Sequence, residues 1–114
     1  MDIEKLRLVL REFATEREWE QFHSPKNLAM ALNVEAGELL EIFQWLTEKE
    51  SINPDDKVLA KAGEELADII LYSIRLADRL GLDINSEVER KIEANAKKYP
   101  VDKAKGNAKK YNEL

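Results

Sequence analysis

Two apolar stretches of helical period each carry a pair of acids at their centre, and this pattern constrains the fold more than anything else in the chain. Glu35 and Glu38 lie midway along Leu28 to Leu46, and Glu65 and Asp68 lie between Leu59 and Leu76. Each pair is spaced i,i+3, which puts both side chains on one helix face with Cβ atoms roughly 5–6 Å apart. If the two helices pack antiparallel, the pairs meet across the interface. Four such carboxylates repel, at about 4 kcal/mol for two unit charges roughly 4 Å apart in an effective dielectric of about 20. Protonation relieves that repulsion, and so does a divalent cation. Oxygen-only ligation selects Mg²⁺, Mn²⁺ or Ca²⁺ over zinc. A di-iron bundle would use Glu-x-x-His motifs, and the single histidine, His23, precedes the helix. The alternative is that each pair sits on a solvated face, and periodicity alone does not separate the two readings.

The surrounding pattern predicts an all-α fold of four helices. Ile3, Leu6, Leu10 and Phe13 recur at steps of three and four behind Asp2 as N-cap, and this first pattern fades near Glu20. Ser24-Pro25 is a start signal for a second helix running to about Leu46. Asn53-Pro54-Asp55-Asp56 repeats the signal, with acids where the helix dipole favours them, for a third helix that reaches Leu80 and stops at Gly81. Ser86 with Glu89 reads as a capping box for a fourth, which Pro100 ends near Tyr99. No segment alternates convincingly as a strand. The second and third helices are apolar over a wider arc than one thin four-helix layer can cover, so a dimer or a dimer of dimers is expected.

Composition sets the remaining bounds. The 114 residues fit one domain, 1–114, long enough to bury roughly two-thirds of the surface of the unfolded form. With 44% apolar and 36% charged residues, a soluble helical protein is favoured over a disordered one. No apolar run approaches the roughly 20 residues that span a bilayer, and no basic leader precedes an apolar core, so no membrane partner is expected. Cysteine is absent, which excludes disulfides and thiolate metal sites and leaves the cytoplasm as the default location. The net charge of −5 hides an asymmetry: residues 97–114 carry six lysines against Asp102 and Glu113, a basic tail of +4 on a body of −9. An acidic body does not suit nucleic acid. A basic tail near an acidic pocket suits a small polyphosphate, although a simply solvated tail is the plainer reading.

Beyond the acid pairs, a larger set of residues carries a family resemblance. Glu35-Ala36-Gly37-Glu38-Leu39-Leu40-Glu41 followed by Glu64-Glu65-Leu66-Ala67-Asp68 resembles the paired Glu-x-x-Glu and Glu-x-x-Asp motifs of MazG-like all-α nucleotide pyrophosphohydrolases. The chain is most similar to their dCTP pyrophosphatase branch. Trp19-Glu20-Gln21-Phe22-His23-x-Pro25-Lys26-Asn27-Leu28 resembles that branch's pre-helix segment, and Phe43-Gln44-Trp45 the end of its second helix. Lys91-Ile92-x-x-Asn95-x-x-Lys98-Tyr99-Pro100 and Lys110-Tyr111-x-Glu113-Leu114 fit as well.

The resemblance implies Mg²⁺, or Mn²⁺, held by Glu35, Glu38, Glu65 and Asp68, and hydrolysis of a nucleoside triphosphate to monophosphate and diphosphate. It implies a substrate pocket containing Trp19, His23, Trp45 and Tyr72, and assembly as a homodimer or homotetramer. Glu38 is the first candidate for general base, with Glu41 and Glu64 as helpers. Lys91, Asn95 and Lys98 are candidate phosphate contacts, and Arg75 and Lys26 weaker ones. Trp19 and Trp45 can wall a base, Tyr72 can crowd the 2′ position of the sugar, and His23 can orient a substrate as a hydrogen-bond donor. One departure stands out: some members of the branch carry a histidine where Leu10 stands, which puts strict cytosine selectivity in question. The competing classes are a non-catalytic helical interaction or regulatory module, and a structural dimer whose acids hold Ca²⁺ without chemistry.

Overall fold

The computed structural model describes residues 1–114 and is helical, with no strand. Six helices occur in order: α1 (Ile3–Glu16), α2 (Pro25–Phe43), α3 (Glu48–Ile52), α4 (Asp56–Leu80), α5 (Ile84–Lys98) and α6 (Val101–Ala104). Two 3-10 turns, Glu20–Phe22 and Tyr111–Glu113, complete the chain. It divides into two compact units, Met1–Leu82 and Asp83–Leu114.

In the first unit α4 is the axis, and both α2 and α1 pack on it. Arg75 and Arg79 reach His23 just ahead of α2, whereas Glu41 and Ile42 near the far end of α2 share a cleft with Lys57, Val58 and Lys61 at the start of α4. The two helices therefore run antiparallel, which brings their mid-helix acids together. Caps fix the ends: Asp2 accepts from the Lys5 amide, Ser24 from Asn27 and Asp55 from Val58, each worth about 1 kcal/mol. Gly81, at φ 70°, closes α4 as its position in the sequence predicts.

Three helix ends differ from the sequence expectation. α1 stops at Glu16 rather than near Glu20, because Trp19 N–H donates to Ala14 and Glu18 N–H to Thr15 in a Schellman turn. Glu18 takes the left-handed position at φ 55°, where glycine is usual, so the stop is not visible as a glycine. α2 ends at Phe43 rather than at about Leu46, since Thr47 and Glu50 form a capping box that starts α3, a helix absent from the sequence reading. α5 is capped by Asp83 and not Ser86: the Asp83 carboxylate accepts from the Ser86 amide and hydroxyl, so Ser86 lies inside the first turn.

The core of one chain is thin. Leu28, Ile74 and the alanines Ala14, Ala62 and Ala77 are its buried apolar residues. Leu40, Phe22, Ile52 and Trp45 stand largely exposed, the last at 86%. In the second unit the basic tail is folded: Tyr111 packs edge-on against Tyr99 at 6.4 Å, and the Lys98 ammonium lies 4.8 Å from the centre of the Tyr111 ring.

Candidate active site

Three of the four acids converge. Glu35 and Glu38 from α2 and Glu65 from α4 place carboxylate oxygens within 4.8 Å of one another. Glu35 and Glu65 each hold one oxygen, Oε2, buried and without a hydrogen-bond partner. Buried carboxylate oxygens without donors are costly unless protonated or bound to a cation. Glu65 is accordingly pushed up to about 7, first because it stands within hydrogen-bonding reach of Glu35, then by burial and by the charges of Glu38 and Glu35. An all-oxygen cluster with orphaned buried atoms fits a hard divalent cation. Asp68 is outside this tight group. Its side chain, one methylene shorter, forms part of the wall of a neighbouring cavity one turn further along α4.

Glu38 and Glu65 open into a cleft of about 620 Å³. Glu38, Glu41, Glu64 and Glu65 line it, and so do Lys57 and Lys61 from the first turns of α4. These two lysines were not among the sequence candidates. The signal was present, because Lys57, Lys61 and Glu65 are spaced i,i+4 on one face of α4.

The neighbouring cavity, about 420 Å³, is mainly apolar. It gathers Trp19, His23 and Tyr72, with Leu10 and Phe13 from α1 and Asp68 and Arg75 from α4. The Schellman turn and the 3-10 turn behind it carry Trp19 and His23 to this place. Trp19 packs edge-on against Phe13 at 5.7 Å and His23 at 6.1 Å. Arg75 Nε donates to His23 Nδ1 at 3.2 Å, and Arg79 Nε to the His23 carbonyl at 3.0 Å. Burial, and then the cations Arg75 and Arg79, hold His23 below the ordinary histidine value against the pull of Glu20.

Behind Arg75 lies Asp78, whose side chain is 5% exposed. Its carboxylate accepts from Arg75 Nη1 at 3.1 Å, Arg7 Nη1 at 3.0 Å and Arg11 Nε at 3.1 Å. Hydrogen bonds from Arg11 first, and Arg7 with it, hold Asp78 below the usual carboxylate range. Sequence reading did not reach this network, since Asp78 lies 71 and 67 residues from the α1 arginines.

Not every candidate is brought to these cavities. Trp45, in the turn after α2, lines neither. Lys26 is exposed at the start of α2. Lys91, Asn95 and Lys98 belong to the second unit, successive turns apart on α5.

Comparison with known proteins agrees with this architecture. Residues 30–114 match the MazG-like family. The chain is 43% identical to dCTP pyrophosphatase 1 of Mus musculus over 115 residues, which is 98% of this chain and 67% of that protein. Against dCTP pyrophosphatase 1 of Homo sapiens the identity is 41% over 116 residues, with the same coverage. A crystal structure of a pyrophosphatase from Archaeoglobus fulgidus superposes with a TM-score of 0.79 at 40% identity, covering 85% of this chain and 91% of that one. The fold, the convergent acids and the sequence relationship together make this chain a member of the MazG-like family.

Proposed function

We propose that this chain is a divalent-metal-dependent nucleoside triphosphate pyrophosphohydrolase that converts dCTP, or a modified dCTP, to the monophosphate and diphosphate. The observation that carries this reading is the cluster of Glu35, Glu38 and Glu65 with two orphaned buried oxygens, open to a cleft that also presents lysines. The relatives named dCTP pyrophosphatase 1 support the choice of nucleotide. Mg²⁺, or Mn²⁺, would be held by Glu35, Glu38 and Glu65, with Asp68 as a fourth ligand. A cation there supplies charge neutralisation on the diphosphate leaving group.

The chain's own groups supply the rest. Glu38, the most open of the three acids, is the proposed base that takes the proton of the attacking water, with Glu41 and Glu64 orienting that water from the same cleft. Lys57 and Lys61 meet the phosphates from the cleft wall. Lys91, Asn95 and Lys98 are further proposed phosphate contacts on the resemblance. Trp19 and Tyr72 wall the base and sugar in the apolar cavity.

We also propose a homodimer or homotetramer. The exposure of Trp45, Leu40 and Phe22 on a chain with so thin a core supports it. A substrate role for Trp45 requires a partner copy, because Trp45 lines neither cavity of its own chain. No helix is long and apolar enough to cross a membrane; a cytoplasmic location is part of the proposal.

The deciding experiment is diphosphate release from the four deoxynucleoside triphosphates and their ribo counterparts, with Mg²⁺ and with excess chelator. Metal-dependent release led by dCTP is the expected result. Release without base preference would keep the chemistry and discard the cytosine assignment. No release by the folded protein would favour a helical interaction module instead. Glu38→Gln is expected to bind metal and lose activity by about 10²-fold or more.

A further inference from the structure

The proposed chemistry makes no use of the closing segment Lys110-Tyr111-x-Glu113-Leu114, yet the second unit folds it onto the end of α5. The Glu113 amide donates to the Lys110 carbonyl at 2.9 Å to close its 3-10 turn, and Leu114 behind it is half-buried. The turn sets Tyr111 edge-on against Tyr99 and presents its ring face to the Lys98 ammonium, 4.8 Å from the ring centre. Lys98 is the last residue of α5, which Tyr99 closes by donating its amide to the Asn95 carbonyl. A lysine at a helix end carries a compact charge on a flexible stem, and holding it in one place costs rotamer entropy.

An acid is the usual restraint, and Lys98 has none: the ion pair of this unit joins Arg90 to Glu87. A carboxylate would occupy the N–H groups of the ammonium and cancel its charge. An aromatic face restrains the same cation through its quadrupole and leaves the charge and the outward N–H groups to an anion. Lys91, Asn95 and Lys98 are exposed on successive turns of α5, and the tail from residue 97 on carries +4. Donors and positive charge without acids to absorb them suit an anion of several charges.

We propose that Tyr111 is a positioning residue for Lys98: its ring holds the ammonium on the α5 face that carries Lys91 and Asn95, as a preset and uncancelled cation for a polyphosphate chain. The C-terminal turn is thereby part of the phosphate-binding face. Because Tyr111 restrains a contact to phosphate, its effect falls on binding, is the same for every base, and does not reach the bond-breaking step. This inference rests on the reading of Lys98 as a phosphate contact.

The ring should shift the Lys98 ε-methylene proton signals upfield of those of the other lysines, with the assignment made by their loss in Lys98→Arg. Tyr111→Leu should return them to the common lysine position, whereas Tyr111→Phe, which keeps the ring, should not. A wild-type Lys98 signal at the common position overturns the proposal whatever the enzyme does.

Tripolyphosphate with Mg²⁺ is the binding probe, since it has the phosphate chain and no base. It should move the wild-type Lys98 signal; a signal that stays in place overturns the proposal. By titration calorimetry its Kd should rise about threefold in Tyr111→Leu, the effect that an exposed cation–π contact supports, and stay at the wild-type value in Tyr111→Phe. In a Lys98→Ala background Tyr111→Leu should add nothing. An unchanged or tighter Kd in Tyr111→Leu, or an equal loss without Lys98, overturns the proposal. With dCTP, KM should rise by the same factor at constant kcat, and a fall in kcat at constant KM overturns it. Should the wild type hydrolyse no nucleotide, the proposed function fails while the tripolyphosphate titrations still decide the role of Tyr111.

Discussion

Glu35 and Glu65 face each other from α2 and α4, each with one buried, unpartnered carboxylate oxygen. Without a cation this arrangement is tolerated when a proton is shared, and the elevation of Glu65 to about 7 expresses that tolerance. The folded chain then binds a proton that the unfolded chain, with an ordinary glutamate near 4.5, does not. The stabilisation is fully present below pH 4.5 and is lost as pH rises through about 7. The metal-free protein should therefore show a midpoint of thermal unfolding that falls from pH 5 to pH 8. Saturating Mg²⁺ should raise the midpoint most at pH 8, and Glu65→Gln should flatten the pH dependence and abolish the Mg²⁺ effect. Circular dichroism melts with and without chelator measure all three.

Asp78 compensates the buried charge of Arg75. Asp78→Asn leaves that charge without its counter-ion, and removing one partner of a buried pair costs about 3–5 kcal/mol. Arg7 and Arg11 are more exposed and add little to this figure. Urea denaturation should show a loss of about 3 kcal/mol. A loss below 1 kcal/mol would show that the network is not structural.

Lys57 and Lys61 lie in the cleft with the acids rather than in the cavity with the tryptophan. Substituting both by alanine should raise KM several-fold for every triphosphate alike and reduce the salt dependence of kcat/KM. A change confined to one base would place them elsewhere in the mechanism.

Glu18 occupies a left-handed backbone position at φ 55° that glycine adopts without steric cost. Glu18→Gly should stabilise the protein by about 0.5–1 kcal/mol, the relief of strain exceeding the added freedom of the unfolded chain. Denaturant midpoints of the two proteins decide the sign.

Legibility in the sequence followed the range of the interaction involved. The long helices were readable because their apolar period and their caps, Ser24-Pro25 and Asp55 through Gly81, are local signals. The Thr47–Glu50 capping box is equally local but is masked by the stronger apolar pattern of α2. The choice of Asp83 over Ser86 turned on a competition between neighbouring caps, which a single motif does not reveal. The acid cluster could be read from i,i+3 spacing once two helices were assumed antiparallel. The Arg75 network could not, because it joins α4 to His23, 52 residues away, and to α1 through Asp78.

The two cavities divide unevenly along the chain. Every acid of the cluster falls within residues 30–114, the part that matches the MazG-like family. Much of the apolar cavity, from Leu6, Val9 and Leu10 through Trp19 to His23, comes from the residues before it. The acids thus come wholly from one stretch of polypeptide, whereas the cavity is shared, its first six lining residues lying before that stretch and Asp68, Leu71, Tyr72 and Arg75 within it. Such a chain can drift toward a new nucleotide by changing its first 29 residues while the acids stay untouched. On the proposed function, grafting that segment from a relative of different preference should shift the preference in part, since α4 lines the same cavity, and leave the metal requirement unchanged.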